Sequence, residues 1–168
     1  MRIRFLVAAT LAGGILLSVL GWLTAAILPP RFKQFRDAQA VVETVRANTT
    51  TNDIYMAPQG LFVAVAMRPD LSNRLQALGP HLAGQFAIEF GVALALAGLL
   101  LLTDIRSPVG AAGFLGLAGL VAGIEVHFPE WNWAGFPIVH MLSGTGYLAV
   151  NWFITGLVLG TLRRTLDR

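Results

Sequence analysis

The 168-residue chain contains no cysteine, and this absence excludes several kinds of chemistry at once. Disulfide bonds, thiolate metal sites, covalently attached c-type haem and cysteine nucleophiles all require the missing side chain. Charged residues are also scarce, at 12% of the sequence, whereas hydrophobic residues make up 55%. Soluble globular domains carry about twice that share of charge, so the composition indicates a membrane protein.

Catalytic motifs are missing as well. The sequence has no GxSxG nucleophile elbow, no HExxH motif and no phosphate-binding loop. The Gly-Thr-Gly stretch at 144–146 lies within an apolar run and lacks the strand–loop–helix context of a nucleotide site. The basic residues form no stripe interleaved with aromatic side chains, so nucleic acid is not an expected partner. We therefore predict no enzymatic activity and assign no catalytic residues.

Four long apolar runs dominate the sequence. A hydrocarbon core about 30 Å thick requires about 20 apolar residues in a helix, so each run is long enough to span a bilayer. The predicted fold is an all-α membrane protein: a four-helix transmembrane bundle with a small extracytoplasmic cap of short helices and a possible β-hairpin. One integral membrane domain, residues 1–168, is expected. The four predicted transmembrane helices are residues 5–28, 82–103, 108–128 and 138–162, and the cap is residues 29–81.

The first apolar run begins like a signal peptide, with Arg2 and Arg4 before it. Its 24 residues exceed the roughly 7–15 residues of a signal-peptide core. Pro29 and Pro30 then end the run as a helix stop. We therefore predict a retained transmembrane helix.

The distribution of basic residues predicts the orientation. With both termini in the cytoplasm, the short outer connection at 129–137 contains no Lys or Arg, as the positive-inside rule requires. The aromatic side chains of Trp131, Trp133 and Phe136 are expected at the outer membrane interface. The predicted location is a bacterial inner membrane, with multiple spans in the N-in/C-in orientation. The inner side then carries Arg2, Arg4, Arg106, Arg163, Arg164 and Arg168.

The segment after the first span has its own local signals. Apolar residues at helical spacing predict an amphipathic helix over Phe32–Ala47. Two runs of strand-favouring residues, 54–56 and 61–67, flank an Ala-Pro-Gln-Gly turn and predict a hairpin. A short helix, Leu71–Leu78, is expected to end at Gly79, with Pro80 opening the second span.

Glycine is frequent in the last two spans, where it is expected to serve helix packing. Small residues let helix backbones approach closely in lipid. We interpret these glycines as sites of packing within the chain, and we expect the third span to be central. The glycines in question are Gly116, Gly119, Gly123, Gly156 and Gly160.

The ionisable residues within the spans fall towards the predicted outer face, and the main polar residue of the inner half is Asn151. Because charge within a membrane is costly, such a cluster is a candidate functional site. Glu125 and His127 are about 200° apart on a helix, so both cannot face inward. We find neither an HxxxH pair nor an HxxE pair on one helical face, and we assign no metal ligands. The cluster consists of His81, Gln85, Glu89, Glu125, His127 and His140.

Several interpretations of this cluster remain open. Metal binding is chemically possible because imidazole and carboxylate suit Zn²⁺, Cu²⁺ or iron. Haem ligation by two histidines and proton or ion transport through Glu89 are further alternatives. The remaining interpretation is that Glu89 faces the bundle interior and forms a hydrogen bond with Gln85 or a histidine. The sequence identifies no cofactor.

Two motifs give the chain a family resemblance. The stretches Asp53–Pro58 (DIYMAP) and Trp131–Pro137 (WNWAGFP) resemble those of an uncharacterised family of small four-helix bacterial inner-membrane proteins with an extracytoplasmic loop after the first helix. The resemblance implies a bacterial inner-membrane location. We expect the second motif to form a tight aromatic loop that seals the outer ends of the last two helices.

The predicted function is that of a non-enzymatic accessory or structural subunit of a larger inner-membrane assembly. The chain has no catalytic motif, and its loop offers apolar faces that require a partner. The lipid bilayer and other membrane proteins are therefore the expected partners. The alternatives are a small ion- or proton-coupled transporter that uses Glu89, and metal or haem binding near the outer membrane face.

Overall fold

A computed structural model of the chain describes residues 2–27, 35–65, 74–103 and 105–167. Four of its helices are long and apolar enough to cross a membrane. The chain divides into two units, Met1–Leu28 with His81–Arg168 and Pro29–Pro80. In chain order the elements are α1 (Arg2–Ile27), α2 (Ala38–Asn48), β1 (Ile54–Met56), β2 (Phe62–Ala64), α3 (Arg74–Thr103), α4 (Pro108–Ala134) and α5 (Ile138–Leu166).

The first unit has one buried core to which all four long helices contribute. The last helix, α5, contacts each of the other three. The prediction that the third span is central is therefore wrong. That prediction is based only on the glycines of the third span, which is α4. Helix α5 packs against α4 and also has buried residues that face α1 and α3. Among the described residues, the largest fully buried side chains are those of Leu96, Leu100, Leu115, Leu159 and Thr155.

The helices α4 and α5 pack closely along their length. A Cβ added at Gly119 would lie 2.5 Å from the carbonyl oxygen of Leu148, and one added at Gly123 would lie 2.7 Å from Cα of Thr145. Any side chain at these positions would force the helices apart. All five glycines assigned to packing meet the facing helix in this way: Gly116, Gly119, Gly123, Gly156 and Gly160.

Arg163 joins the ends of two helices. Its guanidinium group donates to the carbonyl oxygen of Leu100, in the last turn of α3, and to that of Ile105, 3.2 Å away. Carbonyls in the last turn of a helix have no partner within the helix, so the arginine satisfies one of them. Only 6% of Arg163 is exposed. The positive-inside rule treats this residue as a surface charge, but it is part of the packed interior.

The second unit contains α2 and a small hairpin. Asp37 caps α2 by accepting a hydrogen bond from the amide of Ala40, so the helix begins later than the predicted Phe32. Residues 28–34 lie outside the described part of the chain. The predicted hairpin is confirmed: β1 and β2 pair antiparallel, with Tyr55 opposite Val63. Gly60 has φ of +85°, a conformation that glycine adopts readily in turns.

Helix α3, which contains the second predicted span, is longer than predicted. The short helix expected to end at Gly79 does not end there, because α3 runs from Arg74 to Thr103 with Pro80 inside it. Proline removes one amide hydrogen bond but keeps a helical φ, and membrane helices tolerate this loss. The predicted start of that short helix, residues 71–73, lies outside the described residues.

The fourth helix also continues past a proline. Ser107 caps its start by accepting a hydrogen bond from the amide of Gly110, and the helix then extends through Pro129 to Ala134. Its predicted end is Phe128. The aromatic motif is therefore not a loop, because only residues 135–137 connect α4 to α5. This extension adds six residues, slightly less than two helical turns, at the end of α4 and determines the geometry of the site described next.

Candidate metal centre

His127 and Glu130 form a pair on the last turns of α4. Residues three apart on a helix lie on the same face, and here Nδ1 of His127 is 2.8 Å from Oε2 of Glu130. Both side chains are partly buried. The expectation that no HxxE pair shares a helical face is wrong. The predicted helix ends at Phe128, whereas α4 continues to Ala134 and includes Glu130.

His140, in the first turn of α5, completes the group. Its Nε2 atom lies 3.3 Å from the same oxygen of Glu130, and its ring stands nearly perpendicular to that of His127, with the ring centroids 5.5 Å apart. One ligand atom from each of the three residues lies within 4.8 Å of the others. Two imidazoles and a carboxylate thus converge on one point at the junction of α4 and α5.

A short connection between the helices brings the three side chains together. Gly135 ends α4 in the left-handed conformation, with φ of +70°, and its amide donates to the carbonyl oxygen of Glu130. The amide of Phe136 donates to that same oxygen over 3.2 Å. After Pro137, α5 begins at once. The aromatic ring of Phe136 then packs edge-on against His140, with their centroids 5.3 Å apart.

Gly144 gives His127 its position. A Cβ added at Gly144 would lie 2.5 Å from Nε2 of His127 and 2.8 Å from its Cε1 atom. The imidazole therefore lies directly against the backbone of α5. The other ring nitrogen, Nδ1, faces Glu130.

The donor set suits a divalent transition metal. Imidazole nitrogen and carboxylate oxygen are common ligands of zinc, and two histidines with one glutamate form a recurrent three-ligand set. Ligand atoms bound to one zinc ion at about 2.0–2.1 Å lie about 3.3 Å apart when the geometry is tetrahedral. The separations of Glu130 from His127 and His140, 2.8 and 3.3 Å, are close to this value. Three protein ligands would leave a coordination position for water or another ligand.

The same geometry disfavours haem. In a bis-histidine haem site, the porphyrin lies between the two imidazoles. Here His127 and His140 share one oxygen of Glu130, so that carboxylate lies where the porphyrin would need to be.

The other predicted polar residues do not join this group in the described part of the chain. Glu125 is exposed and faces away from His127, as their angular separation predicts. His81 is exposed near the start of α3. Of the aromatic residues predicted at the membrane interface, Trp133 is 86% exposed and Trp131 is also exposed.

Gln85 and Glu89 form a separate pair on α3. The amide of Gln85 donates to Oε1 of Glu89 over 2.7 Å, which confirms the predicted hydrogen bond. Glu89 is half-buried, and Tyr147 of α5 lies within its electrostatic reach. Among the described residues, Glu89 is not part of the group of ligand atoms at the α4–α5 junction.

Polar residues continue along α5 below Tyr147, but not across the whole span. Asn151 and Thr155 are buried one and two turns further in. The next residue on that side is Leu159, which is fully buried in the apolar core with Leu96 and Leu100. A proton relay that crosses the membrane requires polar groups where these leucines lie.

Glu130 is the site residue that sequence reasoning misses. It follows a proline and precedes two tryptophans, a context that indicates a loop. The signal that identifies it is the HxxE spacing itself, His127-Phe128-Pro129-Glu130, read as helix despite the proline. His140 then lies across the short Gly-Phe-Pro connection.

Comparison of the chain with protein-family models, with curated proteins and with solved structures finds no match. The resemblance to small inner-membrane proteins therefore stays a prediction.

Proposed function

We propose that the protein is a multi-pass membrane protein that binds a divalent transition-metal ion through His127, Glu130 and His140. The observation that carries the proposal is the convergence of these side chains, with one ligand atom of each within 4.8 Å of the others. Gly144 supports it, because the absence of a side chain there lets the His127 ring take its position. Ion binding requires no catalytic residue elsewhere in the chain.

The site faces the outer side of the membrane in the orientation that we propose. A four-helix bundle with both termini in the cytoplasm of a bacterium places the α4–α5 connection outside, and this connection lacks basic residues. In this orientation the predicted cap, residues 29–81, is extracytoplasmic. His140 has a side chain that is 49% exposed, so an ion from the outer aqueous phase can reach the site. Cysteine-accessibility labelling tests the orientation: outside labelling of Arg164→Cys would reverse it.

Metal titration of the purified full-length protein tests the proposed site. Co²⁺ is a suitable probe because its visible absorption reports nitrogen and oxygen ligands, and Zn²⁺ should displace it. We expect one ion per chain, and the Co²⁺ absorption should be lost in His127→Ala, Glu130→Gln and His140→Ala. The matched control is His81→Ala, which removes an exposed histidine outside the group. Equal binding by all variants would contradict the proposal.

An accessory subunit is the second candidate function. The observation that favours it is an exposed carboxylate, Glu125, on an apolar face of the transmembrane helix α4. Carboxylates within membrane spans usually face a protein partner or a water-filled space. We propose that the chain assembles with another membrane protein. Migration of the chain as a lone monomer after mild solubilisation of native membranes would contradict this proposal.

A further inference from the structure

The outward face of α4 forms a shallow groove that ends in a carboxylate. The groove has a volume of about 500 Å³. Leu117 and Val121 are each 60% exposed along it. All its lining residues belong to one side of α4: Phe114, Leu117, Ala118, Val121, Ala122 and Glu125.

This face is distinct from the one that packs on α5. Gly123, which contacts Thr145 of α5, is two residues from Glu125 and therefore about 200° away around the helix. Ala118 and Ala122 lie one turn apart in the groove. Side chains as small as alanine let a neighbouring helix approach closely in lipid. The shape of the face thus suits a helix rather than a bulky ligand.

Glu125 is a charged residue on a face that would otherwise suit contact with lipid. It lies within the candidate span Pro108–Ala134, six residues before Trp131 and hence about 9 Å from it along the helix axis. In the part of the chain that the structure describes, no group forms a hydrogen bond or ion pair with it. A carboxylate exposed to hydrocarbon is costly unless a donor or a cation accompanies it.

We propose that the groove binds a transmembrane helix of another protein that carries a basic side chain level with Glu125. Charge complementarity selects this occupant, because the only charge on the face is negative and lies at its outer end. Lipid would leave the carboxylate without a partner. A second copy related by two-fold symmetry would bring another glutamate to the same level. The inference rests on the proposed role of the chain as a subunit and names the chemistry of its partner.

A defined probe can test this surface. The full-length protein is reconstituted into phospholipid vesicles with a donor fluorophore on Thr165→Cys, which is the sole cysteine because the natural chain has none. The acceptor is carried by a transmembrane peptide of Leu and Ala about 22 residues long, with one Lys placed two turns from its outer end. A matched peptide has Leu in place of Lys.

The expected result is energy transfer to the Lys peptide at about tenfold lower peptide density than to the Leu peptide. Glu125→Gln should remove most of this difference, and Val121→Trp should weaken binding of both peptides by filling the groove. The control is Val150→Trp, a bulky substitution at an exposed position of α5, which should leave binding unchanged.

Three results would overturn the proposal. Equal binding of the two peptides would show that the carboxylate selects no cation. The same preference for the Lys peptide in wild type and in Glu125→Gln would show this too. Energy transfer between copies of the chain that Val121→Trp abolishes would assign the groove to self-association. The migration of the chain after mild solubilisation of native membranes distinguishes failure of this docking surface from failure of the proposed subunit function. A chain that fails with the peptides but migrates in a larger complex remains a subunit that uses another face, whereas one that also migrates alone is not a subunit.

Discussion

The imidazole of His127 lies against the backbone of Gly144, so closely that no side chain fits between them. This contact joins the two halves of the candidate metal site, because His127 belongs to α4 and Gly144 belongs to α5. It also sets the ring orientation, with Nδ1 towards Glu130. A glycine on one helix thus positions a ligand on another.

We predict that Gly144→Ala weakens metal binding. The added Cβ would lie 2.5 Å from Nε2 of His127, so the ring must move away from Glu130. Groups that orient metal ligands typically contribute about 10–100-fold to affinity, and we expect a loss in that range. Competition between Co²⁺ and a chromophoric chelator measures it.

Gly146→Ala is the matched control for that experiment. It makes the same substitution two residues along α5, where an added Cβ has no neighbour within 4 Å. Alanine is favoured over glycine in a helix by about 1 kcal/mol, so this variant should bind metal normally and be slightly more stable. Equal loss of affinity in both variants would contradict the role assigned to Gly144.

The second prediction follows from the close contact between α4 and α5 and concerns the free energy of unfolding. In Gly119→Ala the new Cβ would lie 2.5 Å from the carbonyl oxygen of Leu148, and backbone cannot move aside as a flexible side chain can. We expect the free energy of unfolding to fall by about 1–3 kcal/mol, as for other overpacked positions. Gly113→Ala, on the open side of α4, should be neutral or stabilising. Thermal denaturation in detergent compares the two, and equal melting temperatures would contradict the prediction.

The spans themselves follow from the sequence, because runs of about 20 apolar residues have few arrangements other than a helix across a bilayer. The hairpin at 54–64 is also predictable, since its turn requires Pro58 and Gly60 at particular positions. Both predictions depend only on local properties of the chain. Tertiary contacts are not needed to make them.

The site is harder to predict because it depends on how a proline is interpreted. Sequence rules end α4 before Pro129, and this places Glu130 in a loop away from His127. In the structure the helix continues and the two residues share a face. Pro80 causes the same error in α3. The outcome at a proline depends on the neighbouring helices, which local sequence does not describe.

Arg163 carries a third prediction. Its guanidinium group donates to the carbonyl oxygens of Leu100 and Ile105 in a buried position, and Arg163→Met removes both hydrogen bonds. Among the described residues, the Leu100 oxygen then keeps only the long contact of 3.4 Å from the hydroxyl of Thr103. Loss of a buried hydrogen-bond partner costs about 1–3 kcal/mol, and we expect a destabilisation of that size. The adjacent Arg164 is exposed, and Arg164→Met should have little effect on stability. A melting temperature that falls equally in both variants would identify a general effect of charge instead.

The last prediction concerns Glu89 and distinguishes a structural role of this residue from a role in transport. Its carboxylate accepts a hydrogen bond from Gln85, and a typical hydrogen bond contributes only about 1 kcal/mol to stability. Glu89→Leu should therefore lower the free energy of unfolding by no more than about 1 kcal/mol, and Glu89→Gln by less, because the amide keeps an acceptor oxygen.

Stability and proton flux measured on the same variants distinguish the two roles of Glu89. The apolar core around Leu159 interrupts the polar residues of α5, so we expect vesicles containing wild-type protein to show no proton flux above protein-free vesicles. Flux in wild type that disappears in a fully stable Glu89→Gln variant would establish transport and show that the core opens during the cycle. Gln85→Leu serves as the control, since it removes the hydrogen bond but keeps the carboxylate. If this control loses as much stability as Glu89→Leu while neither changes flux, the pair has only a structural role.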